Sequence, residues 1–241
     1  MDSVRLKHTF TKTGVIWRKS PAIRVQEVAS VCAALSNTYG TPRFRNPTDP
    51  LDDLIFIMLS NKTGPATARR TYRHLRRRFP RWDNILSAPL SRLASILRPA
   101  GLSAVKSRQI RAALYRIKKE FGKCNLNALK RTSADDAEDF LVGLPGASEK
   151  VAKCVMMYTL GFQVLPVDTH VHRVSSRLGW TSRKRADQCH KELEALLAPA
   201  LRSNFHVGCI AHGRKLCRPK TPLCLSCPIS DHCEYFRATR R

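Results

Sequence analysis

The sequence predicts an all-α fold, and three observations carry that expectation. Apolar residues recur at helical spacing, as at Val25, Val28, Ala29, Cys32 and Leu35. No stretch alternates apolar and polar residues for long enough to argue a sheet. Glycine and proline punctuate the chain at short intervals, at Gly40 and Pro42, Pro80, Pro99–Gly101 and Gly122, so connections are short. The length of 241 residues, at ~150 residues per domain, allows one large domain or two small ones.

Taken in order, residues 1–20 show no periodicity and read as a basic, mobile tail. An amphipathic helix is expected over Arg24–Tyr39, stopped by Gly40 and Pro42. Segment 43–50, with Pro47 and Pro50, reads as a linker. Asp52–Leu59 opens a more buried helix, and Ala66–Phe79 forms the next, ended by Pro80. Helices follow over 90–97, 104–121 and 134–142. Leu144-Pro145-Gly146 joins the last of these to another helix. One more begins after Pro166, and a final one is expected around Lys191–Leu197.

Composition narrows the function classes. Hydrophobic residues are 43% and charged residues 25%, which excludes a largely disordered chain. The longest apolar run, Leu54–Leu59, has six residues where a membrane helix needs roughly 20. The first twenty residues lack the apolar stretch of a signal peptide. A soluble intracellular protein is expected. Its 43 Lys and Arg against 18 Asp and Glu leave +25, an excess that attracts a polyanion, most often nucleic acid. Acidic proteins or an anionic membrane surface are the alternative partners. Lys62–Arg81 holds eight basic residues and no acidic one. A solvated helix face mixes signs, so this run reads as phosphate-facing surface.

The nine cysteines are an odd number in a chain without an export signal, which argues against disulfides. Cys32, Cys124, Cys154, Cys189 and Cys209 are scattered and read as buried small hydrophobes. Cys217, Cys224, Cys227 and Cys233 crowd into seventeen residues with Pro219, Pro222 and Pro228. Thiolates at this density serve a soft metal centre. Structural zinc takes two close pairs set a dozen or more residues apart. A compact loop with one close pair suits an iron–sulfur cluster better, with zinc and unligated thiols as alternatives.

Three further features carry chemistry. At Leu144-Pro145-Gly146-Ala147-Ser148 a tight turn leads straight into a helix, whose first N–H groups and dipole suit a phosphate oxygen; alone, it also reads as an ordinary helix hairpin. Lys150, in that helix's first turn, would otherwise be a surface lysine. A helix N-terminus and a positive surround disfavour its ammonium form and favour a nucleophilic amine. Asp168, in Pro166-Val167-Asp168-Thr169-His170-Val171, stands where a helix cap is expected. A carboxylate held there can also stabilise a positive sugar-like transition state or assist proton transfer.

Leu-Pro-Gly-x3-Lys, then Val-Asp-Thr-His with its aspartate eighteen residues after the lysine, then His212-Gly213-Arg214-x2-Cys217 opening Cys-x6-Cys-x2-Cys-x5-Cys, form an ordered set. The chain resembles the helix-hairpin-helix DNA glycosylases of the endonuclease III branch, from about Leu51 to Tyr235. The resemblance also covers Leu59-Ser60 and Gly101-Leu102-x3-Lys106. It implies two α-helical domains with a DNA-binding cleft between them: a hairpin domain at 46–163 and a cluster domain from 18–45 plus 164–241, after a basic tail at 1–17. Lys150 matches the Schiff-base nucleophile and Asp168 the essential carboxylate. Cys217, Cys224, Cys227 and Cys233 match [4Fe–4S] ligands, whose cluster shapes a basic loop bearing Lys215, Arg218 and Lys220.

The implied activity is excision of damaged bases, oxidised pyrimidines above all, from double-stranded DNA, with cutting 3′ to the abasic site by β-elimination. The enzyme is expected to act as a monomer, with the DNA (cytoplasm or nucleoid in a prokaryote). DNA contacts are expected at Lys62, Arg76, Arg77, Gly146, Ser148, His170, Lys215, Arg218 and Lys220. The alternatives are a monofunctional glycosylase and a non-catalytic iron–sulfur DNA-binding protein. Three positions depart from the pattern. Ser148 replaces a second glycine, Glu149 a basic residue, and Lys62 the glutamine that fills the gap left by a flipped base. Lysine accepts no hydrogen bond, so recognition of the opposite base is expected to change.

Overall fold

A computed structural model describes residues 10–11, 14–15, 21–40 and 46–240 of the chain. The expected basic tail falls mostly outside these residues. Within it, Phe10–Thr11 and Gly14–Val15 form a two-residue antiparallel ladder. The 43–50 linker lies partly outside them. All other regular structure among the described residues is helical, in two compact units, 43–166 and 1–42 with 167–241.

Unit 43–166 runs through α2 (Pro50–Ser60), α3 (Pro65–Arg78), α4 (Asp83–Ser87), α5 (Leu90–Leu97), α6 (Ser103–Phe121), α7 (Ala134–Val142) and α8 (Glu149–Val155). A π turn, Met156–Leu160, continues α8. Local chemistry sets the starts. The Asp49 carboxylate accepts from the Leu51 and Asp52 N–H groups ahead of α2, with Pro50 preset for the first turn. Ser133 caps α7 by accepting from Asp136 N–H. α2 is buried almost all round, and Leu54, Ile55 and Leu59 form one core with Leu75, Leu93, Ile110, Leu114 and Val151.

The other unit holds α1 (Pro21–Tyr39), α9 (Thr169–Arg177), α10 (His190–Leu196), α11 (Pro199–Lys215) and α12 (Glu234–Thr239). α11 is its central helix, packed on both α1 and α9. The sequence pattern ends at a helix near Lys191–Leu197, and that expectation is corrected here: α11, α12 and the short α4 were not anticipated. α11 lacks an apolar stripe because its buried face includes His206, Gly208, His212 and Gly213 beside Phe205 and Cys209. Trp180 stacks on Phe205, ring centroids 5.3 Å apart, and donates to buried Glu27 at 2.9 Å. Of the scattered cysteines, Cys32, Cys154, Cys189 and Cys209 are buried as expected; Cys124 is only half-buried.

Gly208 sets the approach of α1 to α11, because a Cβ there would lie 3.1 Å from Leu35 Cβ. Gly208→Ala should be near neutral, since a gain of up to about 1 kcal/mol in helix propensity offsets the tight contact. Gly208→Val should destabilise by ~1–3 kcal/mol through overpacking. Denaturant unfolding of both variants checks the contrast; equal stabilities would mean that the two helices part easily.

Candidate active site and nucleic-acid interface

The Leu144–Ala147 turn closes through Ala147 N–H to Leu144 C=O at 3.1 Å, with Pro145 and Gly146 at its centre. Gly146 has φ 84° and sits so close to the Gln109 side chain that a Cβ would lie 2.8 Å from it. Both facts demand glycine. Ser148 makes no side-chain cap, so the first N–H groups of α8 are not taken up by it. Lys150 is half-buried in that first turn.

Asp53, on α2, is fully buried; Asn46 Nδ2 donates to its Oδ1 at 2.7 Å, and Oδ2 has no hydrogen-bond partner among the described residues. Burial pushes this carboxyl up to about 7, against the opposing pull of the Asn46 hydrogen bond and the Lys150 charge. This buried acid, whose carboxyl feels the Lys150 charge, was not legible in the sequence.

Lys62, Leu102 and Gly146 line one hollow of about 680 Å³ with Met58, Val105 and Gln109. Lys62 and Leu102 are the two non-glycine residues with positive φ among those described, at 55° and 49°. Both are exposed, Leu102 by 58%. Lys106 holds them. Its buried Nζ, with three N–H donors, lies within hydrogen-bond distance of four acceptors: Leu59 C=O at 2.8 Å, Asn61 C=O at 3.0 Å, Thr63 Oγ1 at 2.9 Å and Ala100 C=O at 2.9 Å. Burial lowers its pKa. The exposure and positive φ of Leu102 were not legible in the sequence, where its signal was an apolar residue straight after Gly101.

Arg76, one of the expected DNA contacts, is half-buried. Its guanidinium stacks 4.4 Å from the Trp82 ring, donates to Phe79 C=O at 3.1 Å and lies 3.6 Å from Asp52. The side chain is spent on packing. Arg77 is exposed.

In the other unit, Asp168 caps α9. Its Oδ1 accepts from both His170 N–H and Val171 N–H at 2.8 Å, so Oδ2 takes no part in the cap. His170 is half-buried, and its Nδ1 lies 3.1 Å from Arg173 Nη2. Arg173 also donates to Gly213 C=O and Cys217 C=O, each at 2.9 Å. One turn on, Arg177 donates to Arg218 C=O and Pro219 C=O and to Cys217 Sγ at 3.1 Å. These two arginines, which the sequence did not single out, pin the cysteine loop to the helix that Asp168 starts.

Cys217, Cys224, Cys227 and Cys233 line one apolar-walled cavity of about 370 Å³ with Val174, Leu178 and Phe236. Among the described residues no three or more His, Cys, Asp or Glu are grouped so as to hold a single metal ion. Burial and the neighbouring thiols push Cys227 up to about 11, and burial raises Cys233. Four cysteines lining one cavity are a soft donor set of the kind a cluster takes. His212 Nε2 lies 3.6 Å from Cys227 Sγ, and its Nδ1 lies 2.9 Å from Tyr39 OH. Burial with Arg173 and Arg177 pushes His212 down to about 4, so the ring is neutral. Lys215, Arg218 and Lys220 are exposed on or beside this loop.

A family model for the HhH-GPD superfamily of base excision DNA repair proteins matches residues 55–199. The chain belongs to this superfamily. Among relatives of the HhH-GPD chain, an endonuclease III of Sulfolobus acidocaldarius is 30% identical over 214 residues, covering 86% of each chain. An endonuclease III of Thermotoga maritima is 28% identical over 196 residues, covering 81% of this chain and 88% of the relative. In fold, the chain is similar to endonuclease III in a trapped covalent intermediate with DNA, with a TM-score of 0.77 and 24% identity. That match covers 90% of this chain and 99% of the other. The protein is therefore an endonuclease III-like DNA glycosylase of base excision repair. No helix among the described residues is long and apolar enough to cross a membrane.

The buried acid beside Lys150 generates a pH test. With Asp53 held near 7 rather than its ordinary 3.8, the native state keeps a proton that the unfolded chain has released. Stability therefore falls as pH rises through that window and stays reduced above it. Asp53→Asn should flatten the profile, exceeding wild type above neutral pH and converging with it near the lower limit. Parallel profiles from denaturant unfolding would mean that Asp53 does not titrate there.

Proposed function

We propose that the protein is a bifunctional glycosylase that excises damaged pyrimidines and cuts the strand through an AP lyase step. The observation that carries this reading is Lys150 in the first turn of α8, directly behind the Leu144–Ala147 turn. As a free amine, Nζ attacks the sugar C1′, and the base departs with the electrons of the glycosidic bond. Ring opening leaves an imine on Nζ. That imine acidifies C2′; loss of its proton breaks the C3′–O bond, and water then releases the enzyme. Asp168 Oδ2, outside the cap, is the carboxylate for the positive sugar-like state, held by the two hydrogen bonds to Oδ1.

The hairpin N–H groups at Gly146 and Ser148 would hold a phosphate of double-stranded DNA. Lys62 and Leu102 would fill the space of the flipped nucleotide, since exposed side chains on strained backbone suit an inserted wedge. Lys62 offers only donors to the orphaned base. In this reading residues 46–163 are the hairpin domain, and 18–45 with 164–241 the cluster domain of a monomer that works where the DNA is kept. Cys217, Cys224, Cys227 and Cys233 would hold a [4Fe–4S] cluster, which supplies no step of the reaction and fixes the loop bearing Lys215, Arg218 and Lys220.

Borohydride should trap a covalent adduct between wild-type protein and a duplex carrying an oxidised pyrimidine. Lys150→Gln should abolish adduct and strand cleavage while leaving binding largely intact. Asp168→Asn should lower turnover by ~100-fold or more without unfolding α9, because its amide oxygen still caps. Base release without cleavage by Lys150→Gln would favour a monofunctional enzyme; neither trapping nor cleavage by wild type on any lesion would sink the proposal.

The metal reading has its own test. Purified protein should be yellow-brown, absorb broadly near ~400 nm and contain iron and sulfide. Stoichiometric zinc in a colourless protein would overturn it.

A further inference from the structure

The arginines of α3 divide between two faces. Arg69 and Arg76, seven apart, lie over the Phe56 and Trp82 rings at 5.7 and 4.4 Å. Arg70, Arg73, His74 and Arg77 fall at i, i+3, i+4 and i+7 and share another face. With Arg78, at the end of α3, and Arg92 of α5, they line an open groove between the two helices. No carboxylate lines it, and none of these arginines forms an ion pair with a described residue. Arg92 is steadied over the Phe79 ring, 5.6 Å from its centroid.

Like charges one turn apart destabilise a helix. This face has three arginines and no compensating carboxylate among the described residues, so its arrangement suits an anionic ligand outside the folded chain. A second observation points the same way. Thr71, 2% exposed, lines the groove, and its Oγ1 has no hydrogen-bond partner among the described residues. An unpartnered buried hydroxyl costs free energy unless a ligand oxygen meets it.

We infer that the α3–α5 groove is a second phosphate track, holding the sugar-phosphate backbone of DNA that flanks the site of base removal. Five of its six basic side chains are arginine, whose planar fork matches a phosphate bidentately. From Arg70 to Arg77 the helix advances ~10.5 Å, about three steps of one DNA strand. The linings of the groove and of the Lys62 hollow are neighbours in sequence: Thr67 follows Lys62 by five residues, and Pro99 precedes Leu102 by three. This proximity, with a lining rich in arginine, favours nucleic acid over an acidic protein. The inference rests on the reading that the Lys62 hollow faces DNA.

The test is the salt dependence of binding to a long undamaged duplex, which needs no lesion chemistry. The triple variant Arg70→Gln, Arg73→Gln, Arg77→Gln should reduce the slope of log K against log salt by ~2–3, at ~0.9 per phosphate lost. Arg92→Gln, on the opposite wall, should reduce it by about 1 and leaves α3 untouched should the triple variant fold poorly. The triple variant's melting temperature should not fall below wild type, because neutralisation relieves repulsion. Unchanged slopes in both variants would overturn the track while leaving Lys150 trapping intact. Loss of binding to polyglutamate with an unchanged DNA slope would overturn it in favour of an acidic protein ligand. Failure of Lys150 trapping with the slope change present would reject the lyase reading and keep the track.

Discussion

One buried ammonium organises the edge of the 43–166 unit that carries Lys62, Leu102 and Gly146. Lys106 has four oxygen acceptors within 3.0 Å, drawn from the end of α2, the 61–63 loop and the 98–100 turn. Charged donors make the stronger hydrogen bonds, and removing one partner of a buried charge costs several kcal/mol. That strength is what can keep Lys62 and Leu102 at positive φ, where a side chain stores strain of order 1–3 kcal/mol. Loosen the ammonium, and both residues relax into the ordinary regions of backbone space. The hollow they share with Gly146 then loses its shape.

The other unit solves a similar problem with two arginines. Asp168 starts α9, and Arg173 and Arg177 on that helix bind the backbone carbonyls of Gly213, Cys217, Arg218 and Pro219. Carboxylate, helix and cysteine loop thus move as one body. Gly213 shows how closely they fit: a Cβ there would lie 2.5 Å from His170 Nδ1. The glycine of His212-Gly213-Arg214 is therefore a packing requirement of the helix that carries Asp168.

What the sequence disclosed depended on whether a residue's partner was near in the chain. The Asp168 cap was legible because its two N–H donors lie two and three residues away. Helices with an apolar stripe were legible for the same local reason. α11 was not, because histidine and glycine occupy its buried face. Arg173 and Arg177 were silent, since their acceptors lie some forty residues on. The partners of Arg76 were hidden as well: in a basic run it reads as phosphate-facing, and the Trp82 ring and Asp52 beside its guanidinium lie six and twenty-four residues away.

The same distinction bears on Glu149, the departure beside Lys150. Adjacent helical positions diverge by ~100°, so its carboxylate leaves the lysine's face. It lies 4.0 Å from Lys153 Nζ, one turn on, and that buried ammonium also meets Glu138 at 2.9 Å. An acid at the N-terminus of a helix is favourable for the dipole, and here a buried cation draws it inward. Glu149 thereby supports the seat of α8 under Lys150, a structural use for a charge that the sequence alone sets against phosphate binding.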